Sequence, residues 1–382
     1  MMGLEITGGR VLTPDGGLEV GTLRLADGRI TDAQGSTPDR RWRADGLLVL
    51  PGMVDLHGDA FERQLMPRPG VHFDHAMALL DTDRQMIANG ITTAYHGLTW
   101  SWEPGLRGRD AALAFRDGLE ATRPVLACDT RLHLRWETHN LDDLDEVAAW
   151  IADGHVDLLA FNDHIGHIAT KIGRPESLGD YTARTGLTAD AFVDLFQRVA
   201  ARGSDVPAAI ARLAALARAK DLPMASHDDE TPDMRAGFDD LGCRLCEFPV
   251  DEDTARHAIG NGDPVILGAP NILRGGSHCG RLDAADAIAK GLCTVLTSDY
   301  YYPALLTAPF RLAVMGAARF ADAWRLVSTK PARAVGLDDR GDLAPGRRGD
   351  VVLIDDSRPD LPRVVATVVA GRPVFQAEDL SC

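Results

Sequence analysis

Eight short apolar runs, separated by segments of mostly helical periodicity, fill the middle of this chain. The runs are LLVLPGMVDLHGD, GITTAYHG, DTRLHLRWE, VDLLAFNDH, LPMASHDD, CRLCEFP, PVILGAPN and CTVLTSDYY. Intervening segments such as RDAALAFRDGLEATR and PAAIARLAALARAK repeat their apolar residues at helical spacing. Strands alternating with helices predict a parallel sheet, and continuous apolar runs predict one buried on both faces. Eight such units over about 290 residues match the size of a (β/α)8 barrel.

The two ends of the chain read differently. LEITGGRVLT and TLRLADGRITDAQ alternate apolar and polar residues, with Asp27-Gly28 as a tight-turn signal; DVVLIDD and ATVVAGRPVF do the same at the other end. The expected architecture is therefore α/β. A TIM barrel spans 51–340, and a small β-sandwich is shared by 1–50 and 341–382.

Charge and apolar length exclude several roles. Fifty-six acidic residues against forty Lys and Arg give a net charge of -16. That argues against coating nucleic acid or an anionic membrane, but not against one small anionic ligand at a local basic site. No run approaches the ~20 apolar residues needed to cross a bilayer. The most apolar helical segment, Val206 to Ala219, carries Arg212 and Arg218. The start of the sequence lacks the pattern of a secretory leader, so a cytoplasmic protein is expected. Six scattered cysteines suggest no disulfide framework. Cys243 and Cys246 lie three apart on a strand-like run and so point to opposite faces, which suits neither a metal nor a redox pair.

In a barrel of this kind, chemistry sits at the C-terminal ends of the strands. The runs end on a polar set that a packed core would not choose. The first ends His57-Gly58-Asp59 and the second His96; the third ends Arg135-Trp136-Glu137 and the fourth Asp163-His164. The fifth ends His227-Asp228-Asp229, the sixth Glu247 and the eighth Asp299. Imidazoles and carboxylates converging on one mouth call for a cation, and a divalent metal or a pair of them is the natural counter-charge. His57 and Asp59, two apart on a strand, can reach one ion. Mixed N/O ligation suits zinc, manganese or iron. Asp299 would lie beside a water at that ion, placed to orient it and take its proton.

This arrangement resembles the amidohydrolase superfamily, a metal-bearing (β/α)8 barrel with a small β-sandwich built from both ends. LVLPGMVDLHGD looks like its first barrel strand and GDLAPGRRGDVVLID like its return into the sandwich. Within it, LPGMVDLHGD, MPRPG, GITTAYHGLTWSWEPG, RLHLRWE, MASHDD, EFP, GAPNILRGGSHCG and TSDYYYP resemble the diphosphatases of phosphonate degradation. The resemblance covers nearly the whole chain. It is looser from Ile165 to Arg202, which reads as a helical insertion beside the pocket. HxD in place of the superfamily's frequent HxH is a departure that this group shares.

The resemblance implies hydrolysis of alpha-D-ribose 1-methylphosphonate 5-triphosphate to the 5-phosphate and pyrophosphate. It implies two divalent ions held by His57, Asp59, Glu137, His164, His227 and Asp299, with Glu137 bridging and Asp228 orienting His227. If His164 ends the fourth strand and His227 the fifth, Glu247 takes the place of the sixth-strand histidine; if one strand is misread, the histidines fall on strands five and six. A triphosphate needs positive charge, so Arg63, Arg68, Arg135, Lys171 and Arg274 are candidate phosphate ligands. Asn271 also faces the expected pocket, and His278, in the glycine-rich loop after the seventh strand, is a candidate proton donor to the leaving group. The expected partner is thus a small phosphorylated molecule. Barrels of this kind are commonly homo-oligomers, which leaves self-association open. Two other readings stay open: an amide hydrolase or deaminase on the same site, and a non-catalytic scaffold. The retained HGD, His164, His227 and Asp299 speak against the scaffold.

Overall fold

The computed structural model describes residues 3–33, 38–276 and 282–381. The chain opens with strands β1 (Leu4–Leu12), β2 (Leu18–Ala26), β3 (Arg29–Thr31), β4 (Arg40–Arg43) and β5 (Leu48–Pro51). The barrel follows as β6 (Met53–Gly58), β7 (Ile91–Trp100), β8 (Asp129–Glu137), β9 (Leu158–Asn162), β10 (Met224–His227), β11 (Leu245–Glu247), β12 (Val265–Gly268) and β13 (Val295–Thr297). The chain then returns through β14 (Val351–Asp355), β15 (Arg363–Val369) and β16 (Arg372–Gln376).

The barrel strands pair in parallel in sequence order, β6 to β13. The second sheet runs β16-β15-β14-β5-β1-β2-β3, so both ends of the chain build it. It forks at β1. Residues 4–7 of β1 pair with β4 and residues 10–11 pair with β5, on either side of a bulge at Gly8. Gly8 has φ +78, and a Cβ there would fall on Asp45 Oδ1.

The run LLVLPGMVDLHGD, continuous in sequence, divides at Gly52. Its first half, β5, belongs to the terminal sheet and its second half, β6, to the barrel. A Cβ on Gly52 would overlap the side chain of Thr92, so the crossing between sheets needs glycine. Leu132, Leu134 and Trp136 of β8 pack outward with Phe115, Trp150 and Leu213. The barrel floor is apolar, with Val54, Leu56, Tyr95, Leu158, Ala225, Ile266 and Val295. Residues 165–200 form three short helices, Ile165–Ile172, Gly179–Thr185 and Ala189–Ala200, around their own small core of Ile168, Tyr181, Phe192 and Phe196. No helix among the described residues is long and apolar enough to cross a membrane.

The first and last barrel strands meet through few backbone bonds, chiefly one parallel bridge at Gly58 and Asp299. Asp299 N donates to His57 O at 2.9 Å, and Asp59 N donates to Asp299 O at 3.0 Å. The wholly buried Asp55 closes the rest of the seam. It accepts from Thr297 Oγ1 at 2.5 Å, Ser298 N at 3.0 Å and His57 N at 3.3 Å, and also from Ser298 Oγ. Burial pushes this carboxyl up, and the four donors oppose it. Asp55→Ala strands those donors in a dry seam. We expect it to lower unfolding free energy by about 3 kcal/mol. A urea midpoint within error of the unsubstituted protein would show that the seam does not depend on this carboxylate.

Candidate functional site

The strand count is now explicit. His164 follows β9, the fourth barrel strand; His227 ends β10, the fifth; and Glu247 ends β11, the sixth. His227 and Glu247 are paired in register. His96 is not at the mouth: it lies mid-strand on β7, packed edge-on against Phe61 and Phe115 at 5.3 and 5.7 Å. Burial drives it down to about 3, as expected for a core imidazole.

β8 supplies the polar lining. His133, Arg135 and Glu137 alternate with the outward Leu132, Leu134 and Trp136 and so face the barrel interior. Gly97 on the neighbouring β7 makes room: a Cβ there would stand 3.3 Å from Arg135 Cδ and 3.4 Å from His57 Nε2.

Two groups of ligand-type atoms stand at the mouth. His57, Asp59 and Asp299 form one, and His164, His227 and Asp228 form the other, each with its ligand atoms within 4.8 Å of one another. A third and deeper group is His57, His133 and Glu247, wholly buried. None of the three groups, drawn from the described residues, contains a cysteine.

Glu247 organises the histidines. Its Oε1 accepts from His57 Nδ1 at 3.1 Å and its Oε2 from His227 Nδ1 at 3.1 Å. His133 donates Nδ1 to Leu56 O at 3.0 Å and places Nε2 3.8 Å from Glu247 Oε2. The orienting role expected of Asp228 thus falls to Glu247. Asp228 instead lies on the Nε2 side, 3.9 Å from His227 Nε2 and 4.0 Å from His164 Nε2. Glu137, expected as a bridge, belongs to neither mouth group; its Oε1 meets His164 Nδ1 at 2.5 Å. This contact raises His164, and together with Arg135 it outweighs burial to hold Glu137 below the usual carboxylate range.

Arg135 sits between the groups, 6% exposed. Its Nη1 donates to Asp59 Oδ2 at 3.2 Å and its Nη2 to His227 Nε2 at 3.4 Å. Its charge depresses His57, Asp59, His133, Glu137, His164, His227, Glu247 and Asp299 alike. Burial holds His57 and His227 far below the usual imidazole range, which favours the neutral form of both. Burial first, and then the charge of Asp59, push Asp299 up to about 7.

The mouth carries backbone strain as well. Asp228, Phe248 and Asp299 have φ of 59, 52 and 55, three of the six non-glycine residues at positive φ among the described residues. Such residues persist where surrounding bonds over-determine them, and they cluster at functional sites.

The remaining basic candidates separate by partner. Arg63 stacks over the Tyr300 ring at 5.8 Å, and Arg274 Nη1 donates to the Tyr300 hydroxyl at 3.2 Å. Neither has a carboxylate partner among the described residues. Lys171 lies over Tyr181 at 5.1 Å, within the inserted helices. Arg68 is exposed on a turn bridged to Val71, outside both mouth groups. Asn271 is half-buried on helix Ala269–Arg274 after β12. His278 lies outside the described residues.

A cavity opens beside Glu137 and His164 toward the insertion, with Trp102, Tyr181, Arg107 and Arg184 in its wall. Arg107 is held bidentately by Glu62 at 2.9 and 2.8 Å, and Arg184 by Glu103 at 2.7 and 3.1 Å. These two arginines are therefore neutralised by their carboxylate partners. Neither pair is marked in the sequence, because Glu62 and Arg107 lie 45 residues apart and Glu103 and Arg184 lie 81 apart.

The donor set fits a divalent ion. His57 spends Nδ1 on Glu247 and keeps its other nitrogen, while burial, joined by the charge of Glu62 at Asp59 and of Asp59 at Asp299, holds both carboxyls above their usual range. A cation relieves that repulsion.

Known proteins place this geometry. The pattern described as the amidohydrolase family matches residues 291–375. The alpha-D-ribose 1-methylphosphonate 5-triphosphate diphosphatase of Escherichia coli (strain K12) is 33% identical over 345 residues, which is 87% of this chain and 90% of that protein. An adenine deaminase of Methylobacterium sp. (strain 4-46) is 26% identical over 349 residues, 87% of this chain but 51% of its own length. A solved amidohydrolase structure superposes with a TM-score of 0.68 at 16% identity, over 99% of this chain and 100% of that one.

Proposed function

The chain belongs to the amidohydrolase family, and from that premise we propose that it is a divalent-metal hydrolase that converts alpha-D-ribose 1-methylphosphonate 5-triphosphate to the 5-phosphate and pyrophosphate. The observation that carries the substrate is the 33% identity to a diphosphatase of that name over 90% of its length. The local chemistry supports it: a carboxylate pair and a histidine at the mouth, with the guanidiniums of Arg63 and Arg274 gathered on Tyr300, the residue after Asp299.

His57, Asp59 and Asp299 would hold the ion. When bound, it supplies Lewis acidity to a phosphoryl oxygen and acidifies the attacking water. The residues do the rest. Asp299, raised toward neutrality by its surroundings, receives the proton of the water that attacks the α-phosphorus. The bond from that phosphorus to the β-bridging oxygen breaks, and pyrophosphate leaves. Arg135 offers positive charge to the phosphoryl group as it is transferred. Arg63 and Arg274 bind the departing phosphates bidentately. The inserted helices, with Tyr181 and Trp102, close the side of the pocket toward the sugar.

The test is pyrophosphate release from the ribose phosphonate triphosphate, followed by phosphorus NMR. Stoichiometric release is expected from metal-loaded protein, with loss in chelator and recovery on adding zinc, manganese or iron. A metal-loaded protein that leaves the triphosphate intact refutes the substrate. The match to an adenine deaminase favours deamination as the second reading. Ammonia from adenine would establish it.

A further inference from the structure

We infer that the guanidinium of Arg135 takes the place of a second metal ion, so that this chain holds one divalent ion, at His57, Asp59 and Asp299, and not two. The inference concerns the number of ions and stands whether or not the ribose triphosphate is the substrate.

A neutral imidazole has one N–H and one lone pair. His227 donates from Nδ1 to Glu247 Oε2 at 3.1 Å and accepts at Nε2 from Arg135 Nη2 at 3.4 Å. One tautomer satisfies both contacts and leaves no lone pair for a metal. His57 donates from Nδ1 to Glu247 Oε1 at 3.1 Å and has no such donor on its other nitrogen among the described residues, so it keeps a ligating atom. The group of His164, His227 and Asp228 therefore lacks its central ligand. His164, whose Nδ1 is held by Glu137 at 2.5 Å, keeps Nε2 on the side of Asp228, 4.0 Å away, so without His227 the group offers only these two residues.

The guanidinium is also held where it is. Nη1 is fixed on Asp59 Oδ2 at 3.2 Å, and the stem passes over Gly97, where even one added carbon would come within 3.3 Å of Arg135 Cδ. Arginine does not lose its proton in proteins, so its charge cannot be titrated away to admit a dication beside His227. A fixed monovalent cation with five directed donors suits the transferred phosphoryl group at that position. It asks nothing of a bridging carboxylate, which agrees with Glu137 turning to His164.

The count can be measured. Full-length protein, stripped with chelator and reloaded with excess zinc, is analysed by plasma mass spectrometry after desalting. One ion per chain is expected in the unsubstituted protein. Arg135→Met, which removes the cation and frees His227 Nε2, is expected to rise to about two ions per chain. Arg135→Lys, which keeps a charge, is expected to stay at one. Two tightly held ions in the unsubstituted protein would overturn the inference, and so would a Met variant that folds and remains at one. Should the Met variant fail to fold, anomalous diffraction from zinc-loaded crystals of the unsubstituted protein decides. A single peak beside His57, Asp59 and Asp299 supports the inference, and a second peak within bonding distance of His227 removes it.

Discussion

Asp299→Asn is expected to lower turnover by about a thousandfold while the protein stays folded and its metal content stays near normal. The size follows from the usual worth of a positioned general base, ~10²–10⁴ in rate. The asymmetry between rate and binding follows from the atoms. Asparagine keeps one oxygen beside His57 and Asp59 but offers no site for a proton. The backbone of residue 299 would also stay in place, since its N–H and C=O bond to His57 O and Asp59 N across the seam at 2.9 and 3.0 Å. Initial rates of pyrophosphate release, with zinc counted on the same sample, check both halves. Unchanged turnover would end the role given to Asp299. A thousandfold loss accompanied by loss of the metal would show a ligand alone, not a base.

Glu247→Gln should act from below the reacting atoms. One carboxylate holds two imidazoles by Nδ1, and a third, His133, lies 3.8 Å away. An amide can accept from only one of them through oxygen and must present an N–H₂ group to the other. His57 or His227 then turns or changes tautomer. We expect metal affinity to fall by about 10–100-fold, the usual cost of losing a partner behind a ligand. Competition with a chelator of known affinity measures it. An affinity within twofold of the unsubstituted protein would mean that the histidines are oriented by packing alone.

The sequence revealed most of the frame because barrel strands leave a coarse signal. Buried parallel strands are continuous apolar runs, and all eight were found at the observed positions. Val206–Ala219, read as a helix, is one over those same residues. The mouth was legible where a polar residue ended an apolar run, as at His57, Asp59, His164, His227, Glu247 and Asp299. His133 was missed because it lies inside a run. Its signal was the alternation in RLHLRWE, where every second residue is polar, which in a barrel strand marks an inward polar face. Asp55 was missed for a related reason: its partners Thr297 and Ser298 are remote in sequence and ordinary in type. The exchange of roles between Asp228 and Glu247 could not be read from strand order. It depends on Asp228 leaving β10 at φ 59, which turns its carboxylate from the Nδ1 side of His227 to the Nε2 side.

The seam between the first and last barrel strands also sets when the site comes into being. Asp55 meets Thr297 across 242 residues of chain, and Asp299, the proposed base, stands two residues beyond Thr297. Contacts this distant in sequence form late, because loop-closure entropy must be met before they contribute. A chain growing from its N-terminus makes His57 and Asp59 early, but they have no third partner until β13 has been synthesised and docked. A half-made chain would thus present two exposed metal-seeking side chains without the geometry to select an ion. On the proposed ligand set, metal choice would be deferred to the final stage of barrel closure, when the fold itself acts as the filter.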